Sequence, residues 1–408
     1  MVRFLLFRFS MKLINKNIFT YLFAILSSLF IAFTTVSCSE KGDEPDTPGS
    51  NTGRRTVLVY IVARNNLGSS GFDSADIEEM IRGVSDGALG DDDRLIVFHE
   101  SFSGDVALKE ITPNGIVTLK QYDASTSGIE ASTMNRIFND VEEIAPARSY
   151  GLVLWSHATG WIEDGIKDDT FDPYSVSTLS FGLSGSKKMN IKTLASVLEQ
   201  RKLDFIYFDC CYMMGIEALY QLRNCAPIIA GSPTEIPSEG MPYQDNLKYF
   251  FSSGDADIIS AATSTFSHYN QLSGSARTCT MSVIRTSELP KLARITKSIF
   301  QLSSAGMPEH PFDPQRYMTN SVSTCNYFDF AQYIRELAKD NPSLLNEFNN
   351  ALSDVVVYED ATPWLWNTVA LKHHSGLSTY ILPSYESSSQ RGYDSLDWWN
   401  DAAKFLNK

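Results

Sequence analysis

The apolar positions of this chain fall into short continuous runs and not into an alternation of apolar and polar residues. These runs cover residues 56–63, 94–100, 150–157, 204–211 and 226–233. Continuous runs of this length, rich in β-branched and aromatic residues, are typical of strands that are buried on both faces of a sheet. The pattern therefore predicts five buried strands.

Segments with helical periodicity separate these runs. They predict helices over residues 74–83, 133–144, 191–201 and 214–224. Strands that alternate with helices indicate a mainly parallel sheet with helices on both faces. The expected fold is therefore an α/β sandwich of three layers.

The last third of the chain has a different texture. Helical patterns dominate there and include residues 327–338, and two strands are predicted near the end, at residues 368–374 and 376–383. We therefore predict a main domain over residues 55–287, and a C-terminal region over residues 288–408 that packs on it.

The beginning of the chain carries an export pattern. An apolar run at residues 18–33 follows two lysines, Lys12 and Lys16, and ends in small residues before Cys38. A basic flank, a short apolar core and a small-residue exit are typical of a secretory signal and not of a membrane span. We predict a signal peptide over residues 1–37.

Cys38 has two interpretations. It is either an incidental cysteine near a cleavage site or the lipid-modified first residue of the mature protein. The segment that follows is polar and rich in Gly, Pro and charge, as expected of a flexible tether, and it favours the lipoprotein. We predict a tether over residues 38–54 and an outer-membrane lipoprotein of the cell envelope, facing the periplasm or the outside.

The composition mainly excludes classes of partner and of metal site. The chain has 48 acidic and 34 basic residues and a formal net charge of -14. Binding of nucleic acid needs clustered Lys and Arg, so this class of partner is excluded. The six cysteines have neither the spacing of a zinc site nor that of a dense disulfide framework, so no metal site is predicted from them. We expect a monomer.

The residues with catalytic chemistry stand where two predicted strands end. Ligands of a parallel sheet bind beyond the carboxyl ends of its strands. One run ends at His157 and the next at Cys211. A thiol is a strong nucleophile only as thiolate, and an imidazole beside it can accept its proton and later protonate a leaving amine. His157 and Cys211 are therefore the predicted catalytic pair, and Cys210 is expected to fill a core site on the opposite face.

The residues around this pair form recognisable sequence blocks. The block YGLVLWSHATGW contains His157, and FIYFDCCYMMGIEALYQL contains Cys211. Two further blocks, TVLVYIVARNNL and AGSPTEIPSEGMPY, flank them in the chain. In this order the four blocks resemble the clostripain family of cysteine peptidases. The resemblance implies a caspase-like α/β fold and hydrolysis of peptide bonds through an acyl-enzyme on Cys211.

The resemblance also implies roles for neighbouring residues. Asp209 corresponds to the family's acidic S1 residue, which pairs with Arg or Lys at P1 of a protein or peptide substrate. The alternative is a strand-end carboxylate that accepts bonds from nearby backbone amides. Glu235 and Glu239 are candidates for a second acid in this pocket. The backbone amides of Ala158 and Cys211 are implied to form the oxyanion hole.

The sequence departs from the family's pattern around the histidine. Ser156 replaces an aspartate, and Ala158 and Thr159 replace glycines. An alanine that had to adopt a positive φ would distort the oxyanion hole. The alternative function is therefore a catalytically weak or inactive surface lipoprotein that binds peptides or partners. A peptidase with a different P1 preference is a third interpretation.

The segment 162–189 is expected to be a long loop between the two catalytic strands. In the resembled family a chain break in this loop accompanies activation, so Lys167, Lys187 and Lys188 are candidate self-cleavage sites. No cofactor is required for the chemistry, although some family members need calcium. An acidic stretch of the loop could bind calcium, but it lacks EF-hand spacing. Its residues are Asp164, Asp168, Asp169 and Asp172.

Overall fold

The computed structural model describes residues 52–162, 181–303, 314–317, 327–382, 387–389 and 392–405. The predicted signal peptide, Cys38, Lys167 and the four aspartates of the long loop lie outside the described residues. Within the described part of the chain, no helix combines the length and the apolarity that a membrane crossing requires.

The described part of the chain is built from fifteen strands and eleven α-helices. In chain order the strands are β1 (Gly53–Val62), β2 (Asp93–Glu100), β3 (Val106–Thr112), β4 (Gly115–Gln121), β5 (Ala147–Trp155), β6 (Phe181–Ser184), β7 (Lys187–Met189), β8 (Leu203–Asp209), β9 (Ile228–Gly231), β10 (Thr280–Arg285), β11 (Tyr327–Asp329), β12 (Val356–Ala361), β13 (Trp364–Leu365), β14 (Val369–Ala370) and β15 (Ser378–Tyr380). The helices are α1 (Asn66–Ser69), α2 (Phe72–Ser85), α3 (Ala131–Ile144), α4 (Ile191–Leu198), α5 (Ile216–Gln221), α6 (Tyr243–Phe250), α7 (Ile258–Asn270), α8 (Leu289–Ser303), α9 (Phe330–Ala338), α10 (Pro342–Val355) and α11 (Asp397–Asp401).

Nine strands form the central sheet, in the order β12-β10-β9-β8-β5-β1-β2-β3-β4. The five central strands, β9, β8, β5, β1 and β2, are parallel to one another, and they are the five that the apolar runs predict. Two antiparallel strands extend each side, β10 and β12 beyond β9, and β3 and β4 beyond β2. The prediction of a mainly parallel sheet is therefore confirmed for its centre, and the edges add strands that the pattern does not indicate.

Each face of the sheet carries its own hydrophobic core. Successive side chains of a strand point to opposite faces, so Leu58 and Tyr60 join one cluster while Val57 and Val59 join the other. Helices α3, α4, α8, α9 and α10 contribute buried side chains to the first cluster, and α2, α6 and α7 to the second. The predicted three-layer arrangement is confirmed.

The C-terminal region departs from its prediction in detail. The helix predicted over residues 327–338 begins only at Phe330, because Asp329 caps it by accepting a 2.7 Å bond from the Gln332 amide. The three residues before it form β11, which pairs antiparallel with β15. The two strands predicted near the end shorten to β14 and β15. The chain also returns to the central sheet as β12.

The segment 162–189 is not wholly a loop. Its described residues from Phe181 onward form the hairpin of β6 and β7, and the Phe181 side chain is fully buried. The prediction of a continuous long loop is wrong for this part, because the hairpin packs on the first core cluster.

Candidate active site

The predicted catalytic pair lies at the ends of two adjacent parallel strands. Trp155 of β5 and Asp209 of β8 are register partners, and His157 and Cys211 each follow by two residues. Adjacent strands lie about 4.8 Å apart, so the two residues leave the sheet side by side at one edge. Cys211 is half-buried, whereas Cys210 is buried in the first core cluster. Only the second of these thiols is accessible.

The imidazole of His157 is oriented by an asparagine. Its Nε2 lies 2.7 Å from Oδ1 of Asn66, the first residue of α1. The amide oxygen can only accept, so Nε2 carries the hydrogen and Nδ1 keeps the lone pair. Burial lowers the pKa of His157 to about 4. At neutral pH this side chain is therefore an uncharged base.

The sequence pattern predicts no role for Asn66, which lies in the block TVLVYIVARNNL. The residue before it, Asn65, caps α1 by accepting a 2.9 Å bond from the Leu67 amide. Its Nδ2 donates to the carbonyl of Leu183, also at 2.9 Å. Asparagine is favoured at helix N-caps, so a pair of asparagines directly after a buried strand was the available signal. It could indicate the cap but not the contact with His157.

The Cys211 thiol is a neutral group in the resting protein. Burial raises its pKa to about 12, and the charges of Glu235 and Asp209 add to that effect. The Ile236 amide, which donates to Sγ at 3.4 Å, acts in the opposite direction. In the described part of the chain, no hydrogen bond joins the thiol to His157. The resting pair is thus a thiol and a neutral imidazole and not an ion pair.

The backbone after Cys211 is strained. Tyr212 has a φ of 61°, a left-handed conformation that is uncommon for an aromatic residue. The turn is held by two backbone bonds, from the Tyr212 amide to the Thr234 carbonyl at 2.9 Å and from Met214 to Ser232 at 3.2 Å. Such a turn fixes the direction in which the preceding thiol points.

The backbone after the histidine does not require glycine at the predicted oxyanion position. Of the non-glycine residues in the described ranges, Tyr212, Trp366 and Asn367 have a left-handed φ, and Ala158 does not. The peptide between His157 and Ala158 accepts a 2.9 Å bond at its carbonyl, from the Gly182 amide. This bond does not use the N–H of the same peptide, which belongs to Ala158. The left-handed residue of this loop is Gly160, with a φ of 81°. The distortion of the oxyanion hole that an alanine with a positive φ would cause is therefore absent at Ala158.

Asp209 is buried where β8 ends. Its carboxylate accepts bonds from the Met241 amide at 3.0 Å and from the Tyr243 hydroxyl at 2.9 Å. Gly240 has a φ of 65°, and a Cβ there would lie 2.8 Å from the Asp209 carboxylate, so only glycine fits. Burial raises the pKa of Asp209. The carboxylate thus makes the local bonds that the strand-end alternative expects, within two residues of Cys211.

A second buried acid, which the sequence analysis does not identify, lies next to Asp209. Asp76 of α2 accepts a 2.7 Å bond from the indole of Trp155, the register partner of Asp209. Burial raises the pKa of Asp76, and the charge of Asp209 raises it further. Asp76 is therefore held in its neutral form at pH 7 in the resting protein, and a cation placed beside it would favour the ionised form.

The remaining candidate residues differ in their exposure and contacts. Glu235 is half-buried next to Ile236, whereas Glu239 is exposed. Lys187 and Lys188 belong to the paired strand β7, and Lys187 forms a 2.6 Å ion pair with Glu130. Among the described residues, no cluster of three or more His, Cys, Asp or Glu side chains could hold a metal ion.

Comparison with known proteins gives a family. The model of the clostripain family matches residues 59–407. An inactive zymogen of a C11 protease from Parabacteroides distasonis is 27% identical and has a TM-score of 0.73, and the match covers 89% of this chain and 100% of that one. A secreted C11 cysteine protease from Bacteroides thetaiotaomicron, solved with an irreversible peptide inhibitor, is also 27% identical. Its TM-score is 0.71, with 86% of this chain and 99% of that one covered. No curated protein sequence matches this chain.

Proposed function

The chain belongs to the clostripain family of cysteine peptidases, and from this we propose that it is an endopeptidase that cleaves after Arg or Lys. Cys211 is the nucleophile and His157 the acid/base. The observation that carries the proposal is that these two residues follow the ends of adjacent parallel strands, beside the buried carboxyls of Asp76 and Asp209.

The chemistry follows from the neutral state of the resting pair. His157 Nδ1 takes the proton of Cys211 as Sγ attacks the substrate carbonyl carbon, and the backbone amides of Ala158 and Cys211 hold the oxyanion. The imidazolium then gives this proton to the leaving amine as the C–N bond breaks. Water hydrolyses the remaining thioester and restores the thiol. Asn66 keeps the imidazole in the required tautomer throughout.

The preference for a basic P1 residue is proposed from charge. Asp209 and Asp76 lie in a buried space where an unpaired carboxylate is costly, and a cationic side chain relieves that cost. Glu235 and Glu239 add negative charge nearer the surface. A neutral or acidic P1 side chain would bring no positive charge to these carboxyls, so we expect strong discrimination against it.

We also propose processing and localisation for this peptidase. Self-cleavage in the segment 162–189 would occur at Lys167, Lys187 or Lys188. Lys187 and Lys188 lie in a paired strand, so cleavage there requires the hairpin to open, which favours Lys167. Export with a lipid anchor on Cys38 would keep the enzyme at the cell envelope. A related C11 protease is described as secreted, which is compatible with export. The chemistry requires no cofactor, and bound calcium would be held by the acidic residues of the segment 162–189.

Fluorogenic peptides with Arg, Lys, Asn or Asp at P1 test the proposal. Wild type is compared with Cys211→Ala, and Cys210→Ala is the matched control because it removes a buried neighbouring thiol. We expect cleavage only after Arg and Lys, lost in Cys211→Ala and retained in Cys210→Ala. Cleavage only after Asn or Asp would contradict the P1 assignment. No cleavage of any peptide by wild type would favour the binding lipoprotein, and an intact Cys211→Ala chain beside a cut wild-type chain would support self-processing.

A further inference from the structure

Tyr327, in the C-terminal region, touches the loops that follow both strand ends. Its hydroxyl donates a 2.6 Å bond to the carbonyl of Thr159, two residues after His157. Its ring stacks on that of Tyr212, the residue after Cys211, with ring centroids 5.5 Å apart and an interplanar angle of 22°. One buried side chain thus contacts the loop of the base and the loop of the nucleophile.

The fit around Tyr327 is close on both sides. At Gly160, which has a φ of 81°, a Cβ would lie 2.8 Å from the Tyr327 hydroxyl, so any side chain there would displace it. On the other side, the ring packs on a residue whose backbone is in a costly left-handed conformation. Such a conformation persists only where surrounding contacts enforce it. The stack with Tyr327 is one of these contacts.

Tyr327 itself is held firmly. It pairs with Tyr380 in the two-stranded sheet of β11 and β15, and its carbonyl accepts a 3.0 Å bond from the Tyr317 amide. The partner strand β15 is bonded in turn to the segment after the nucleophile. The Ser378 amide donates to the Met214 carbonyl at 3.1 Å, and the Tyr380 amide donates to the buried Glu217 carboxylate at 2.9 Å.

We propose that Tyr327 is a positioning residue that sets the distance between His157 and Cys211 by joining their two loops. The inference rests on the proposed catalytic roles of that pair. The C-terminal region is accordingly part of the active-site assembly. The hydroxyl fixes the histidine loop, and the ring fixes the nucleophile turn, so the two contacts are separable by mutation.

Two substitutions separate these contacts. Tyr327→Phe keeps the ring and removes the bond to Thr159, so kcat should fall about tenfold with KM little changed. Tyr327→Leu also removes the stack, and kcat should fall about a hundredfold. Tyr317→Phe is the matched control, because it removes a buried tyrosine hydroxyl that bonds Asp329 and touches neither loop.

Hydrogen exchange followed by mass spectrometry supplies a readout that does not depend on activity. Tyr327→Phe should speed exchange in residues 157–162 alone, and Tyr327→Leu should speed it in residues 210–215 as well. Unchanged exchange in both segments, in variants that unfold at the wild-type urea concentration, would overturn the proposal. If wild type proves inactive, faster loop exchange still supports the bridge while the peptidase proposal fails. If Tyr327→Leu loses protection from exchange throughout the molecule, the exchange rates of Tyr327→Phe decide the test.

Discussion

The histidine loop and the nucleophile loop leave adjacent strands but are supported by different parts of the chain. The histidine loop is held by early residues and by the β6–β7 hairpin: Asn66 bonds the imidazole, and the Gly182 amide bonds the His157 carbonyl. The nucleophile loop is held by later segments, through backbone bonds from Tyr212 to Thr234 and from Ser378 to Met214.

The two loops also differ in backbone strain. The histidine loop places glycine at its left-handed position, whereas the nucleophile loop places an aromatic residue, Tyr212, in that conformation. A strained turn stays in place only if its surroundings enforce it. In the proposed mechanism, His157 therefore needs an orienting partner, and Cys211 needs a rigid support. Substitutions on each side should fail in different ways.

The largest effect is expected on the histidine side. Asn66→Ala removes the acceptor that holds the Nε2–H tautomer, so kcat should fall about a hundredfold with little change in KM. Steady-state kinetics on an Arg peptide measures this. Asn66→Asp is the control, since its carboxylate still accepts from Nε2 and by its charge raises the pKa of His157. The acidic limb of its pH–rate profile should shift upward. Wild-type kcat in Asn66→Ala would show that Asn66 does not orient the base.

A smaller effect is expected from the support of the nucleophile side. Glu217 is fully buried, accepts bonds from Thr379 and Tyr380, and has a pKa that burial raises to about 7. Because the folded pKa exceeds the ordinary value, the folded state binds the proton more tightly. Stability should therefore fall as pH rises from about 4.5 to about 7 and then level off, a change on the order of 3 kcal/mol.

Glu217→Gln is expected to remove that slope, because its amide keeps one accepting oxygen but does not titrate. Urea unfolding at pH 5 and pH 8 compares the two proteins. Wild type should lose stability between these values by about 2 kcal/mol more than the variant does. Equal slopes would mean that Glu217 is not a titrating support of this turn.

The smallest effect concerns the thiol itself. Glu235→Gln removes a charge that raises the pKa of Cys211, so alkylation of Cys211 by iodoacetamide at pH 8 should be about threefold faster. Peptide mapping by mass spectrometry follows the labelled residue. Glu239→Gln is the control, because Glu239 is exposed and is not among the charges that shift this pKa. Equal alkylation rates in the two variants would show that the charge of Glu235 does not affect the pKa of Cys211.

The central strands and the strand ends could be predicted from sequence because their signals are local. The apolar runs that become β1, β2, β5, β8 and β9 are continuous, and His157 and Cys211 come directly after two of them. The edge strands β3, β4, β10 and β12 were missed. β4 shows why, since its residues are exposed or half-buried and carry no continuous apolar run. Helical periodicity predicts a helix at Tyr327, whereas pairing with β15 decides its conformation.

By itself, the sequence determined the class of fold and which residues follow the carboxyl ends of β5 and β8, since burial patterns and strand ends depend on residues that are neighbours in the chain. Only the tertiary structure decided the tautomer of His157, the neutral state of Cys211, the pairing of Asp76 with Asp209 and the bridge made by Tyr327. These properties depend on desolvation and on contacts between residues far apart in the chain. No local pattern records such distances.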